Sequence, residues 1–169
     1  METKIMSHIA KGLILSLILI VISLAGHLLN VDLESWFGWT SGAIFLIGII
    51  WGVNFYGKQM NNNVTFGNLF AHGFKITAVV ICITFLYTLL SLYVLFPDSI
   101  DRIIEKSIQQ GKMTSDQYQQ NAPTIKKIFT VTILAGSIFG GAVVGAIGSL
   151  IGAAITKKNP QTPFGNQPV

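Results

Sequence analysis

The stretch at 128–155 constrains the fold of this chain most, because it is long, apolar and rich in glycine. On a helix of about 100° per residue, its small residues share one face. These residues are Ser137, Gly141, Gly145, Gly148 and Gly152. In lipid such a face lets another backbone approach closely, and van der Waals contact replaces the hydrophobic effect as the driving force. The stretch can also cross a hydrocarbon core of about 30 Å. It therefore predicts a membrane helix that packs through its glycine face.

The composition favours the same class of protein. Hydrophobic residues make up 51% of the chain and charged residues 11%, whereas a soluble domain carries about 25% charged residues. The net charge of +4 does not indicate nucleic-acid binding, because the basic residues occur in ones and twos. We interpret the lysines as boundary residues of membrane helices and expect no nucleic-acid partner.

Four apolar stretches predict an all-α integral membrane bundle of four transmembrane helices. We expect one domain at 1–155 and a disordered polar tail at 156–169. The predicted spans are 12–29, 39–56, 76–95 and 128–155. A basic start and an apolar middle also fit a cleaved signal peptide for the first span, but three further spans favour a retained helix.

The second span carries glycines of its own. Gly42, Gly48 and Gly52 lie on one broad face, which we expect to pack against the glycine face of the last span.

Two amphipathic segments lie outside the predicted spans. Phe66, Phe70 and Phe74 recur at helical spacing, which predicts an interfacial helix at 65–75 that runs into the third span. His72 and Lys75 would then lie at headgroup level. A groove-binding face for a partner protein is the alternative interpretation of this segment.

The second segment, 99–121, predicts a helical hairpin. Its first helix has isoleucines on one face and ends at Gly111, and a capping box at 114–117 begins its second helix. Pro123 then breaks the pattern. Loop charges place this hairpin and the acidic loop at 31–37 outside the cell, with both termini in the cytoplasm.

Sequence motifs for catalysis are absent from the chain. We find no metalloprotease, phosphate-loop, C-x-x-C or nucleophile-elbow motif. No Asp, Glu, Lys or Arg lies in the central part of a predicted span, where proton relays and ion-coupled transporters place such groups. We therefore expect no catalytic residue, metal or cofactor.

The third span carries a sparse row of hydroxyls. We expect them to hydrogen-bond to neighbouring helices; the alternative is that they line a polar path together with Asn54. The row comprises Thr84, Tyr87, Thr88 and Ser91.

Three motifs resemble a known family. They are the Val64-to-Phe74 pattern, the Phe96-Pro97-Asp98 turn after Tyr87, and a glycine-rich last helix that ends in two lysines. Together they resemble a bacterial membrane family known as domain of unknown function 4199. The resemblance implies a four-helix protein of the inner membrane with no assigned activity, and it supplies no site residues.

We expect a non-enzymatic membrane scaffold or accessory subunit, in contact with the lipid bilayer and with another membrane protein or a second copy of itself. The alternative is a small uncoupled channel or carrier for a neutral or lipid-like solute.

Overall fold

The computed structural model describes residues 6–29 and 36–159, with the side chains of the second helix from Trp39 onward. The described residues form α-helices and contain no β-strand. The five helices are α1 (His8–Leu28), α2 (Trp36–Gln59), α3 (Phe66–Leu90), α4 (Ser99–Gln109) and α5 (Ser115–Ile155). Most of the predicted acidic loop, and the tail from 160 onward, lie outside the described residues.

The predicted fold class is confirmed. A π-helical turn, Ser91–Leu95, extends α3. Among the described residues, this extended α3 and α1, α2 and α5 are four helices long and apolar enough to cross a membrane. Each extends beyond at least one end of its predicted span, because the flanking polar residues continue the helix.

The segment predicted to be interfacial is the first part of α3, with no break between it and the third span. The Thr65 hydroxyl accepts a hydrogen bond from the Asn68 amide at 3.2 Å, as an N-cap does. The buried face of α3 runs through Leu69, His72 and Ile76, so one face of this segment packs into the protein.

The chain divides into two compact units. The first contains the described residues up to Ile83 and those from Gly141 onward, so it holds α1, α2, most of α3 and the end of α5. Its core is aliphatic and well packed. The most buried members are Ile49, Val53, Leu69, Ile76, Val80 and Ala153.

The second unit, Thr84–Gly140, holds the end of α3, the π-helical turn, α4 and the start of α5. Gly111 (φ +69°) ends α4, and the Lys112 amide donates to the Ser107 carbonyl at 3.0 Å, which is a Schellman cap. Thr114 and Gln117 form the predicted capping box.

A kink follows in α5 at Asn121, whose φ of −134° and ψ of 25° are not helical. Pro123, two residues later, suits the first turn of the second helical piece, because a missing N–H costs nothing there. The predicted pair of short helices is therefore present.

An ion pair joins the two short helices. Lys126 Nζ lies 2.6 Å from Asp101 Oδ1, and the Tyr118 hydroxyl donates to the same oxygen at 3.4 Å. The two charged side chains are 44% and 41% exposed, so this ion pair lies at the surface of the second unit and not in its core.

The predicted tail begins with structured residues. Thr156 is buried, packs against Gly57, and donates its hydroxyl proton to the Gly152 carbonyl at 2.6 Å. Lys158 Nζ donates to the Ala153 carbonyl at 2.7 Å, as a cation at a helix C-terminus does.

Candidate functional site: a buried lysine and histidine

Three helices of the first unit bring polar side chains together at one end. Lys11 lies one turn into α1, Gln59 is the last residue of α2, and His72 lies in the second turn of α3. Because α2 runs opposite to α1 and α3, the starts of those two helices meet its end. We call the resulting group the lysine–histidine cluster; it comprises Lys11, Gly52, Tyr56, Gln59 and His72.

Lys11 is the centre of the cluster, and only 2% of its surface is exposed. Its Nζ lies 3.3 Å from the Gly52 carbonyl, 3.3 Å from Gln59 Oε1 and 3.2 Å from His72 Nε2. An ammonium has three N–H donors, so these three acceptors match it in number.

Two aromatic rings complete the surroundings of Lys11. Its Nζ lies 5.2 Å from the ring centroid of Phe55 and 5.5 Å from that of Tyr56. The negative faces of such rings attract a cation, which offsets part of the cost of removing the ammonium from water.

His72 is fixed by two rings and one hydrogen bond. Its imidazole stacks on Tyr56, with centroids 3.8 Å apart and planes 5° apart. The His8 ring meets it edge-on at 6.1 Å. When Lys11 carries its proton, Nε2 of His72 accepts, so the ring proton of a neutral His72 lies on Nδ1.

The cluster places a positive charge among neutral groups. None of the partners of Lys11 among the described residues is a carboxylate. The described part of the first unit contains no Asp or Glu at all. It contains these lysines: Lys11, Lys58, Lys75, Lys157 and Lys158. A buried charge without an opposite charge is costly, which marks this cluster as a candidate functional site.

The sequence patterns did not predict this cluster. They favour Lys11 among the boundary lysines and His72 at headgroup level, whereas both side chains are buried in the protein. The sequence spacing does predict that His72 is buried. It lies three residues after Leu69 and four before Ile76, on the same apolar face of the helix.

The glycines of α5 lie at close helix contacts. Gly145 contacts the Thr77 side chain of α3. A Cβ at Gly148 would lie 3.1 Å from Ile49 Cβ, and one at Gly152 would lie 2.9 Å from Val53 Cβ. Gly141 faces Ile81 in the same way, with 3.0 Å to its Cγ1. These contacts exclude even a methyl group without a shift of the neighbour.

Ser137 lies in the second unit, where its hydroxyl donates to the Leu134 carbonyl of its own helix at 2.8 Å.

The expected contact between α2 and the glycine face of α5 is present, but the α2 glycines do not form it. Gly48 faces Leu15 of α1, Gly52 faces Ile76 of α3, and a Cβ at Gly42 would meet nothing within 4 Å. Helix α2 meets α5 through Ile49 and Val53 instead. Branched side chains on one helix thus fill the space left by glycines on the other, as knobs of one helix fit gaps in its neighbour.

The three phenylalanines differ in their surroundings. Phe66 and Phe74 are 44% and 48% exposed, while Phe70 packs partly against the core of the first unit. The Phe70 and Phe74 rings lie 6.1 Å apart, and Lys158 Nζ lies 5.9 Å from the Phe66 ring centroid. The edge of α3 is therefore aromatic and basic, the composition found where helices meet headgroups.

The residues of the expected polar path fall in different units. Asn54 is half-buried in the first unit. The Thr88 hydroxyl donates to the Thr84 carbonyl of its own helix at 2.8 Å, and Tyr87 and Ser91 are half-buried beside it in the second unit. Their role in a path stays a prediction.

In the described part of the chain, no group of three or more His, Cys, Asp or Glu side chains is placed to hold a metal ion.

Comparison with known proteins gives one match. A search of curated proteins and a search of solved structures find no similar protein. A family model described as "Protein of unknown function (DUF4199)" matches residues 11–158, from the buried lysine of α1 to the lysine that follows α5. Since this match covers all but the ends of the sequence, the chain belongs to the DUF4199 family.

Proposed function

We propose that this protein is a non-enzymatic scaffold or accessory subunit of the bacterial inner membrane. The observation that carries the proposal is the close packing of the first unit, where Gly145, Gly148 and Gly152 admit the side chains of two other helices. Contacts this close fix helix positions and leave no space between the helices at these points. A rigid bundle of this kind suits a protein that holds a partner in place.

The exterior of the bundle supports contact with lipid and with other membrane helices. Leu13, Leu17 and Val21 of α1 are each more than half exposed. Near the middle of α5, Phe139 is 72% exposed and Val143 60% exposed. In water such surfaces would be rare, whereas in a bilayer they match the acyl chains and remain free to meet a partner.

The lysines support an orientation with both termini in the cytoplasm. Lys58, Lys157 and Lys158 lie close to helix ends on the side of the lysine–histidine cluster, and Lys75 lies in the third turn of α3. An excess of lysine on one side favours the cytoplasm for that side. Lys126 and Lys127, which lie near the other end of α5, count against this orientation, although Lys126 is neutralised by Asp101.

Site-specific photocrosslinking tests the scaffold proposal. A photoreactive residue at Leu17 or Phe139 should form a discrete adduct with one protein, which also copurifies at a fixed ratio in gentle detergent. A probe at Ile49, which is fully buried, is the matched control and should crosslink only within the chain. If the exposed positions yield lipid adducts alone, the scaffold proposal fails.

The second candidate, an uncoupled channel or carrier, has one observation in its favour. A π-helical turn at Ser91–Leu95 directly follows the hydroxyls of Thr84 and Thr88, and such turns often occur at functional sites. Proteoliposomes should then pass a neutral solute, and Thr88→Val should reduce the flux. Thr132→Val, an exposed threonine of α5, is the matched control. Flux no higher than in empty vesicles would remove this candidate.

A further inference from the structure

The lysine–histidine cluster joins two bases through a single contact. The distance between Lys11 Nζ and His72 Nε2 is 3.2 Å. A hydrogen bond at this distance needs one nitrogen to donate and the other to accept. It can therefore form with one positive charge on the pair but not with two, because a protonated imidazole and an ammonium are both donors only.

We propose that Lys11 and His72 form a proton-binding switch that holds α1 to α3 when His72 is neutral and releases this contact when His72 takes up a proton. This switch does not depend on the scaffold proposal, because it requires only two bases in contact.

The surroundings of His72 strengthen the repulsion that a second proton would meet. From α1 it faces Lys11 and His8, from α2 the ring of Tyr56, and on its own helix Lys75 contributes positive charge. None of these groups is a carboxylate. A proton on His72 thus adds a positive charge to a group of bases, without an anion among these neighbours to balance it.

The other contacts of Lys11 and His72 indicate which interaction is lost when His72 is protonated. Lys11 keeps its bonds to the Gly52 carbonyl and to Gln59, so its side chain stays with α2. His72 keeps its stacking on Tyr56. The interaction that is lost is therefore the one between Lys11 of α1 and His72 of α3. The two helices also meet where Gly12 packs directly against Val79. Protonation should therefore loosen the start of α1 while the remaining helix contacts persist.

Histidine-selective ¹⁵N NMR of the wild-type protein in detergent tests the protonation states directly. At about pH 8, His72 should show the Nδ1–H tautomer, with an unprotonated Nε2 that changes its shift in Lys11→Gln. On acidification to about pH 3, well below the ordinary imidazole range because the positive neighbours oppose the second proton, both nitrogens should become protonated as the α1–α3 contact is lost. An Nε2–H tautomer at pH 8, or a protonated His72 with the contact intact, would overturn the proposal.

Thermal unfolding across the same pH range tests the consequence. The unfolded chain takes up the proton freely and the cluster resists it, so the melting temperature should fall on acidification, by on the order of 5 °C. His72→Gln keeps an acceptor but does not titrate in this range, and should remove most of the fall; Lys11→Gln should do the same. His27→Gln, a histidine near the other end of α1, is the matched control and should keep it. An equal fall in His72→Gln and wild type would contradict the proposal, and the NMR measurement decides the question if either variant fails to fold.

Discussion

Lys11 and His72 lie 61 positions apart in the sequence, yet Nζ of the first lies 3.2 Å from Nε2 of the second. The contact fixes the start of α1 to α3, while the bonds from Lys11 to Gly52 and Gln59 fix it to α2. One side chain thus links three helices at the same end of the first unit. Its partners are neutral, so the geometry of the acceptors and rings, rather than a counter-ion, holds the charge in place.

Tyr56 should stabilise this arrangement through its ring. The ring stacks on His72 at 3.8 Å and lies 5.5 Å from Lys11 Nζ. We expect Tyr56→Phe to change the free energy of unfolding by less than about 0.5 kcal/mol. Tyr56→Ala should lower it by about 1–3 kcal/mol, because stacking, cation–π attraction and packing are lost together. Unfolding in mixed detergent micelles measures both. Equal losses in the two variants would show that the hydroxyl, not the ring, is the stabilising group.

Gly148 should be intolerant of a larger residue. A Cβ there would lie 3.1 Å from Ile49 Cβ and 3.3 Å from the Leu46 carbonyl oxygen, so Gly148→Leu must separate α5 from α2. We expect a loss of about 1–3 kcal/mol, as at other overpacked sites. Thermal unfolding in detergent is the measurement.

Two controls accompany Gly148→Leu. Gly140→Leu is the same change on the same helix, at a glycine whose Cβ would meet nothing within 4 Å, and Ile138→Leu alters an exposed side chain. Both should be nearly neutral. A homodimer through the α5 glycines is the competing arrangement, and it predicts that Gly148→Leu gives a stable monomer where the wild type is a dimer. No change in either stability or size would mean that this face contributes little.

The exposed edge of α3 should lie at the bilayer interface. Phe74 and Asn68 are both exposed, but one is aromatic and the other polar. Spin labels at these two positions should differ in oxygen accessibility, with the higher value at 74, because oxygen partitions into lipid. Phe70 is unsuitable for a label, since it packs partly against the core. Equal, fully aqueous values at 68 and 74 would instead favour a docking face for a soluble partner.

The turn after α2 and the end of α4 should lie on opposite sides of the membrane. Single cysteines at Asn63 and Gln109 test this with an impermeant thiol reagent in intact cells, after replacement of the exposed Cys82. The loop charges predict labelling at 109 and protection at 63. Asn62 is a poorer site, because its φ of 61° disfavours residues other than glycine and asparagine. Labelling at both positions would contradict the four-span topology.

Local sequence patterns determined the helices and their ends. Thr65 begins α3, Thr114 and Gln117 begin α5, and Gly111 ends α4, because caps depend on residues within one turn. The glycine spacing of α5 likewise follows the helical period, so Gly141, Gly145, Gly148 and Gly152 share a face whatever the helix meets. Length and apolar composition were enough to indicate four helices that can cross a membrane.

Only the tertiary structure decided what each face meets. The glycines of α2 contact Leu15 and Ile76 instead of α5, and the helix uses Ile49 and Val53 for that contact. Lipid is as apolar as leucine, so the hydrophobicity of a membrane helix does not show which of its faces packs against protein. Helix pairing depends instead on the shape of each face. The lysine–histidine cluster also depends on helix packing. In the sequence Lys11 and His72 are separate polar residues near helix ends, and only the packing of three helices brings them within hydrogen-bonding distance.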